Sequence, residues 1–306
     1  MELFKLGDNS RTDVCLCYRA DLVTPELLQQ VTSRLQSAPL DILLEAGYLQ
    51  PFLEEKGASI FSGVGFTERP DTVSASLMEG KIVLLVDNSP VAAILPARLV
   101  DFLSDANDYY FPPLTGTYLR IVRTLILILS VVATPLWYLY LEYAESLPAA
   151  LLFLVPDDPG ALPILMQLLL AEVALDGLKI ASMNTPDMLS NSLSIVGALI
   201  LGDFAVGVGW LCGDVILYMA FVAIANFAQQ NHELGYALKF VRVITLVLTA
   251  WLGILGFVLG LVIAVLLIVT NKTVVGRRYL YPLLPFDAQA LSRLVFRRKK
   301  ADFEQK

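Results

Sequence analysis

The chain has 306 residues, of which 56% are hydrophobic and only 17% are charged. Its mean hydropathy of +0.65 is too high for an ordinary soluble globule, so lipid must be part of its solvent. The formal net charge of −7 argues against nucleic acid as a partner, because binding to a phosphate backbone depends on basic side chains. Charged residues occur at normal density up to residue 123, and long runs of Leu, Ile, Val, Ala and Gly follow.

The first 110 residues predict a small α/β domain. Residues 13–18 alternate as a strand does, and a helix then runs to about residue 36, with Thr24 as its cap and Pro25 at its first position. The other expected elements are helices over residues 41–55 and 69–79 and a hairpin of strands 81–86 and 91–95 around the turn sequence DNSP. With so few strands, the domain does not predict a doubly wound sheet.

Apolar segments that could cross a bilayer begin near residue 124. A helix needs ~20 apolar residues to cross ~30 Å of hydrocarbon, and residues 124–141 meet this requirement, with a kink expected at Pro135. The later apolar segments are residues 164–182, 192–211, 215–228 and 238–270. Because the last is too long for one straight span and short for two, it predicts a helical hairpin or a tilted, broken helix.

The distribution of basic residues predicts the orientation. Arg120 and Arg123 precede the first span, and residues 272–300 carry eight lysines and arginines. By the positive-inside rule both termini are cytoplasmic, and the absence of a cleavable signal peptide agrees with this. An even number of crossings follows, and we expect four, with residues 164–182 lying along or dipping into the outer face. Lys239 and Arg242 fit this count poorly, because they would lie outside.

The predicted fold class is therefore an α/β cytoplasmic domain followed by an all-α polytopic transmembrane domain, with about four spans plus re-entrant or interfacial helices. The expected boundaries are residues 1–110 for the soluble domain, 111–118 for a linker, 119–271 for the transmembrane domain and 272–306 for a basic cytoplasmic tail. Attraction to anionic lipid headgroups explains the basic cluster in that tail.

Motifs for enzyme chemistry are scarce in this sequence. The only histidine is His232, and no serine or cysteine nucleophile has a base beside it. The glycines at positions 63 and 65 lack the rest of a phosphate-binding loop. We therefore expect no enzymatic activity, no catalytic residue, no cofactor and no metal site.

Acidic residues within the apolar half are the candidate functional residues. Asp203 lies inside an apolar helix, where a carboxylate costs ~2.5–3.5 kcal/mol and must face protein or water. Glu172 and Asp176 share one helix face with Lys179. An ion pathway through Asp203, Glu172 and Asp176 is one interpretation, and structural hydrogen bonding or a position near the membrane surface is the other.

Small residues recur at three- and four-residue steps in two apolar segments. Such stripes allow helix backbones to approach closely, either within one protomer or between protomers. The candidate packing residues are Gly202, Gly209, Gly256 and Gly260.

Several motifs resemble those of the GerA family of spore germination proteins. In the soluble half they are FTERPD at 66–71, EGKIVLLVDNSP at 79–90 and DYY at 108–110, and in the membrane half they are ILGDFAV at 200–206 and PLLPF at 282–286. Two further segments, PILMQLLLAE at 163–172 and NTP at 184–186, look more like the family's sporulation protein AF branch than like its nutrient-receptor A subunits.

The resemblance implies a multi-pass protein of the spore inner membrane that forms a ring of like subunits and conducts ions early in germination. It also implies other spore germination membrane proteins as partners, besides membrane lipid. Family members usually carry an additional amino-terminal subdomain, so this chain is expected to be either a short form or a sequence with a misassigned start. Two alternatives stay open: a secondary transporter, whose broken helices would explain the proline and glycine interruptions, and a non-conducting scaffold that assembles germination proteins.

Overall fold

The computed structural model describes residues 1–54, 60–103, 108, 110–146, 148–183, 205–227, 232–274, 279–284 and 286–288. Contacts divide the chain into two compact units. The α/β unit comprises Met1–Thr124, Gln230–Leu234 and Val265–Lys306, and the helical unit comprises Leu125–Gln229 and Gly235–Ala264. The described residues nearest the two ends of the chain thus belong to the same unit.

A five-stranded antiparallel sheet organises the α/β unit. Its strands are β1 (Glu2–Leu6), β2 (Thr12–Cys17), β3 (Gly65–Thr67), β4 (Ile82–Val86) and β5 (Ala92–Leu95), in the order β1-β2-β4-β5-β3. The predicted hairpin is confirmed, with Ile82 opposite Leu95 and Leu84 opposite Ala93. Strands β1 and β3 were not predicted, because each is an edge strand, short or mixed in polarity, that depends on its neighbour for pairing.

The helices of this unit partly follow the predictions. They are α1 (Pro25–Gln36), α2 (Gln50–Leu53), α3 (Pro70–Met78) and α4 (Leu99–Leu103), with a 3₁₀ turn at Ala46–Leu49. Helix α1 buries Leu27, Val31 and Leu35 at four-residue steps against the sheet core. The helix predicted over residues 41–55 is wrong in its first part, since the carbonyls of Asp41 and Leu43 accept hydrogen bonds from outside the segment.

The chain after the last helix joins the core of the α/β unit. The Asn271 Nδ2 donates to the carbonyl of Phe61 at 2.9 Å, and Val274 is buried in the same cluster as the sheet residues Val14 and Leu84. Tyr279 is fully buried, and its carbonyl accepts a hydrogen bond from the amide of Leu99. The described part of the predicted basic tail is therefore folded structure, and residues 289–306 lie outside the description.

Asp101 anchors a group of charges beside strand β4. Its Oδ1 lies 3.1 Å from Lys81 Nζ and 2.9 Å from Arg98 Nη2. Burial by itself would raise the pKa of Asp101, but Lys81 and Arg98 outweigh burial and hold the pKa below its ordinary value. A carboxyl whose pKa is lowered on folding contributes stability above its unfolded pKa and loses it as the pH falls.

We expect Asp101→Asn to destabilise the α/β unit by about 1.5–3 kcal/mol at neutral pH, the range for hydrogen bonds to charged groups. For the unmodified chain, protection of the β4 and β5 amides should fall as the pH drops below about 4, the ordinary range of an aspartate. Hydrogen exchange of these amides measures both effects. The exposed Asp87 provides the matched control in Asp87→Asn, and equal losses in both variants would contradict this role.

Five helices are described from residue 113 onward. They are α5 (Pro113–Glu142), α6 (Ile164–Met183), α7 (Gly213–Phe227), α8 (His232–Leu252) and α9 (Ile254–Thr270). Helix α5 continues through Pro135 and starts inside the segment expected to be a linker, which is therefore helical from Pro113. In its first part, Arg120 and Arg123 both bind the fully buried Asp108, at 3.2 and 3.1 Å.

Within the described residues, two helices are long and apolar enough to cross a membrane, Pro113–Glu142 and Glu233–Leu252. Two shorter apolar helices are Gly213–Asn226 and Ile254–Thr270. The segment expected to span over residues 192–211 lies mostly outside the description. The count of four spans therefore stays a prediction.

The last apolar segment forms a helical hairpin, one of the two forms predicted for it. Helix α8 ends at Leu252, Gly253 takes a positive φ of 57°, and α9 starts at Ile254. Gly256 then lies against the backbone of Leu248, and Gly260 lies against Thr245. A residue with a side chain would be strained at Gly253, so glycine makes the reversal possible.

Aromatic and apolar side chains form the core of the helical unit. Trp137 of α5 stacks on Tyr218 of α7 with ring centroids 4.4 Å apart, beside the buried Leu168 of α6. The buried Gln167 binds two carbonyls before α6 with its Nε2 and accepts from the amide of Cys212 with its Oε1. These contacts fix the start of α6 against the start of α7.

Candidate functional site

Two of the predicted site residues lie on the face of α6 that meets α8 in the helical unit. Glu172 and Asp176 are four residues apart on α6, so helical geometry places them on one face. Two basic residues of α8, Lys239 and Arg242, meet them there. We call these four side chains the ion-pair cluster.

Arg242 and Glu172 form the central pair of the cluster. The Arg242 Nε donates to Glu172 Oε1 at 2.6 Å, and its Nη1 donates to the carbonyl of Ser130 at 3.0 Å. The side chain of Arg242 is 0% exposed and that of Glu172 is 6% exposed. One guanidinium therefore links helices α5, α6 and α8 through groups removed from solvent.

Lys239 forms the second pair. Its Nζ binds the carboxylate of Asp176 and lies 3.8 Å from Glu172 Oε2. Asp176 is more accessible than Glu172, since 37% of its side chain is exposed. The ion-pair cluster thus has a closed, buried end at Arg242 and a more open end at Asp176.

The charges within the cluster balance, with two carboxylates and two basic groups. Desolvating an ion costs several kcal/mol, and a buried pair recovers this only with good geometry and further hydrogen bonds. The additional bonds to the carbonyls of Ser130 and Glu172 meet part of that requirement. Neither carboxylate is a free acidic site in this arrangement, so a cation could bind Glu172 only if Arg242 moved away.

Lys179, predicted on the same face as the two carboxylates, also contacts α8, through an aromatic ring. Its Nζ lies 4.2 Å from the ring centroid of Tyr236 on α8. A cation over an aromatic face is stabilised by the ring quadrupole. This contact extends the charged interface between α6 and α8 by one more helical turn.

The other predicted site residues are not part of the cluster. Asp203 and Gly202 lie outside the described residues. Gly209 occupies a turn with a φ of 77°, and a Cβ built there would meet nothing within 4 Å. Gly256 and Gly260 lie at the contact between α8 and α9 of the same chain.

The sequence prediction missed Lys239 and Arg242 as partners of the acids. A signal was present, because both residues conflicted with the predicted topology as exposed outer-face charges. Two bases three residues apart on an apolar helix, and two acids four residues apart on another, form complementary pairs. Pairing the two anomalies would have predicted the cluster.

A folded α/β unit joined in one chain to apolar helices of spanning length fits the class of membrane-associated proteins. The family model described as Bacillus/Clostridium GerA spore germination protein matches residues 1–306. The chain belongs to the GerA family of spore germination proteins.

Similar curated proteins have sporulation and germination names. Stage V sporulation protein AF of Bacillus subtilis (strain 168) is 31% identical over 301 residues, which cover 98% of this chain and 61% of that protein. Spore germination protein KA of the same strain is 30% identical, with 97% of this chain and 55% of that protein covered. Spore germination protein GerQA of Bacillus cereus is 31% identical over 93% of this chain and 58% of that protein.

The chain spans between about half and three fifths of the length of these relatives. Among solved structures, the N-terminal domain of the A subunit of the Bacillus megaterium spore germinant receptor GerK3 is 33% identical. The match covers 30% of this chain and 74% of that one, with a TM-score of 0.24.

Proposed function

We propose that this chain is a non-enzymatic component of an oligomeric ion channel that promotes ion release across the spore inner membrane during germination. The observation that supports this most is the ion-pair cluster between α6 and α8. Ionisable residues in the interior of a membrane domain are costly, and they commonly mark pathways for ions or protons.

The proposed pathway residues are Asp203, Glu172 and Asp176, which stabilise a cation electrostatically and take part in no covalent chemistry. Copies of the chain surround a wet axis, so that carboxylates from each copy favour cations there, as charged rings do in other channels. A carboxylate held by a guanidinium cannot also coordinate a passing cation. Conduction therefore requires that the contacts of Arg242 and Lys239 loosen, and the paired arrangement corresponds to a closed state.

The proposed topology is multi-pass, with about four spans and both termini cytoplasmic. The burial of Val274 among residues of the sheet supports this, because the chain after α9 returns to the unit in which the chain begins. Membrane lipid, like subunits and other spore germination membrane proteins are the proposed partners. The names of the relatives support the last of these.

Cation efflux from liposomes tests the pathway. We expect Asp203→Asn and Asp176→Asn each to lower potassium efflux by about tenfold, the effect of losing about 1.4 kcal/mol of stabilisation of the cation. The oligomer, measured by size-exclusion chromatography with light scattering, should be unchanged. Glu145→Gln, at an exposed carboxylate of the same unit, is the control. Unchanged efflux in both aspartate variants would remove these residues from the pathway.

Two other functions give different results in the same liposomes. The interruptions of the helical unit, such as the 3₁₀ segment Ala149–Leu154 and the break at Gly253, also suit a secondary transporter. Saturable, coupled uptake of a substrate would identify one. The folded α/β unit suits a scaffold, and electrically silent protein that still retains germination partners would favour that function.

A further inference from the structure

A cavity of about 460 Å³ lies in the α/β unit. Its size falls within the range of small-molecule sites. It is formed by the 3₁₀ turn and start of α2, by β3, by the residue before β5 and by the first turn of α8. The residues that line it are Glu45, Gly47, Tyr48, Gln50, Phe66, Val91 and Glu233.

The lining of this cavity favours a positively charged organic ligand. Glu45 and Glu233 are its charged residues, and Tyr48 and Phe66 add two aromatic rings. Carboxylates form charge-assisted hydrogen bonds with ammonium groups, and aromatic faces attract cations. Among the described residues that line the cavity none is basic, so a ligand carboxylate or phosphate would have no cationic partner among them.

In the part of the chain that the structure describes, the side-chain hydrogen-bond donors beside the cavity are shared between several acceptors, and Glu233 is the carboxylate left short of them. The Ser62 hydroxyl approaches Glu54 Oε1 at 2.6 Å and the carbonyl of Val64 at 2.9 Å, and it also hydrogen-bonds Glu233, although it carries one proton. The Gln50 amide is shared between Glu54, the Ser62 oxygen and Glu233. Among the described residues, the buried Oε2 of Glu233 has no hydrogen-bond partner.

This shortage distinguishes an ammonium from a metal ion. A primary ammonium supplies three N–H donors, and a donor is what Oε2 of Glu233 lacks among the described residues. Divalent calcium and magnesium need six or more oxygen ligands, and within the described part of the chain no group of three or more His, Cys, Asp or Glu could hold a metal. The aromatic rings would contribute nothing to a hydrated metal ion.

We propose that this cavity binds a small primary alkylammonium ion, with the carboxylate of Glu233 as its main acceptor and Tyr48 and Phe66 against its alkyl chain. Glu45 and Tyr48 are exposed, so the ligand enters from solvent. This assignment does not depend on ion conduction, because it concerns residues of the α/β unit alone.

Equilibrium dialysis of the full chain in phosphatidylcholine nanodiscs, with labelled n-butylammonium as the probe and empty nanodiscs as the blank, tests the proposal. Saturable binding is expected for n-butylammonium and not for 1-butanol or butyrate, which lack the positive charge. Equal binding of 1-butanol would overturn the proposal, and so would the absence of saturable binding to the chain.

Two variants then locate the site. Glu233→Gln removes the main acceptor charge and should raise the Kd by about tenfold or more, as expected for a hydrogen bond to a charged group. Tyr48→Ala, at an exposed side chain, should raise it by about two- to fivefold. Glu26→Gln removes a charge from the exposed start of α1 and should leave the Kd unchanged.

The variants also separate a site from surface attraction. If Glu26→Gln weakened binding as much as Glu233→Gln, nonspecific attraction to a negative surface would replace the proposed site. If Glu233→Gln fails to fold, Tyr48→Ala still tests the site. An unchanged Kd for n-butylammonium in Tyr48→Ala would exclude this cavity as the binding site. Conduction in liposomes is a separate measurement, so each proposal can fail without the other.

Discussion

Replacing Glu172 with Gln is expected to lower the free energy of unfolding of the helical unit by about 3–5 kcal/mol, the cost of removing one partner of a buried ion pair. In the unmodified chain, the Nε of Arg242 donates a hydrogen bond to Glu172 Oε1 at 2.6 Å. The variant removes this carboxylate and leaves the guanidinium without its nearest negative charge. An arginine cannot escape this cost by losing its proton. Thermal unfolding in detergent micelles, followed by far-ultraviolet circular dichroism, measures the loss.

The opposite replacement should be milder. In Arg242→Gln, the carboxylate of Glu172 still has a second basic partner, Lys239 Nζ at 3.8 Å. The double variant Glu172→Gln/Arg242→Gln removes both charges and should recover most of the stability lost in Glu172→Gln alone. The exposed carboxylate variant Glu145→Gln should change stability by less than about 0.5 kcal/mol.

A different pattern of stabilities in these variants would contradict the pairing of Glu172 with Arg242. If Glu172→Gln and Arg242→Gln were equally harmful and the double variant showed the sum of their effects, the two side chains would act independently. Glu172 would then be stabilised by other groups, and the closed-state interpretation of the ion-pair cluster would lose its basis.

Local sequence patterns were sufficient to predict the inner parts of the α/β unit. Helix α1 has a proline at its first position and buried residues at four-residue steps, and the β4–β5 hairpin has β-rich runs around a turn sequence. These signals lie within a few consecutive residues and do not depend on contacts with a distant segment of the chain. The edge strands β1 and β3 acquire their structure by pairing with β2 and β5, which sequence periodicity does not record.

The boundaries of the membrane half show a different limit of sequence reasoning. Proline and glycine at residues 112–116 indicated a linker, yet Pro113 is the first residue of helix α5. Proline is well tolerated in the first turn of a helix, because the amide it lacks has no partner there. Hydropathy alone therefore placed the start of the first span about ten residues after the actual start of its helix.

The candidate site could be predicted in part. Periodicity identified Glu172 and Asp176 as neighbours on one face of α6, since that relation is local. Their pairing with Lys239 and Arg242 joins residues more than sixty positions apart. Such contacts depend on how helices pack. A rule that uses basic residues only to assign membrane orientation does not reveal that these two bases pair with acids of another helix.

Gly256→Ala is expected to disrupt the α8–α9 hairpin and to lower the stability of the helical unit by about 3 kcal/mol or more, at the upper end of the range for overpacked interiors. A Cβ at this position would lie 1.8 Å from the carbonyl oxygen of Leu248 and 2.4 Å from its carbon. Both are backbone atoms, so no rotamer change relieves the overlap, and the two helices would have to move apart by roughly 1 Å. Thermal unfolding in detergent micelles measures the effect.

Two further alanine variants test whether the loss of stability is specific to the hairpin contact. Gly260→Ala should cost less, because two of the three nearest atoms belong to the Thr245 side chain, which can rotate. Gly177→Ala on α6 meets nothing within 4 Å and should stabilise the chain by about 0.5–1 kcal/mol through its better helix propensity. The expected order of stability is therefore Gly177→Ala, then Gly260→Ala, then Gly256→Ala. If Gly256→Ala were as stable as Gly177→Ala, α9 would not fold back onto α8, and the glycines would be free to pack against another protomer.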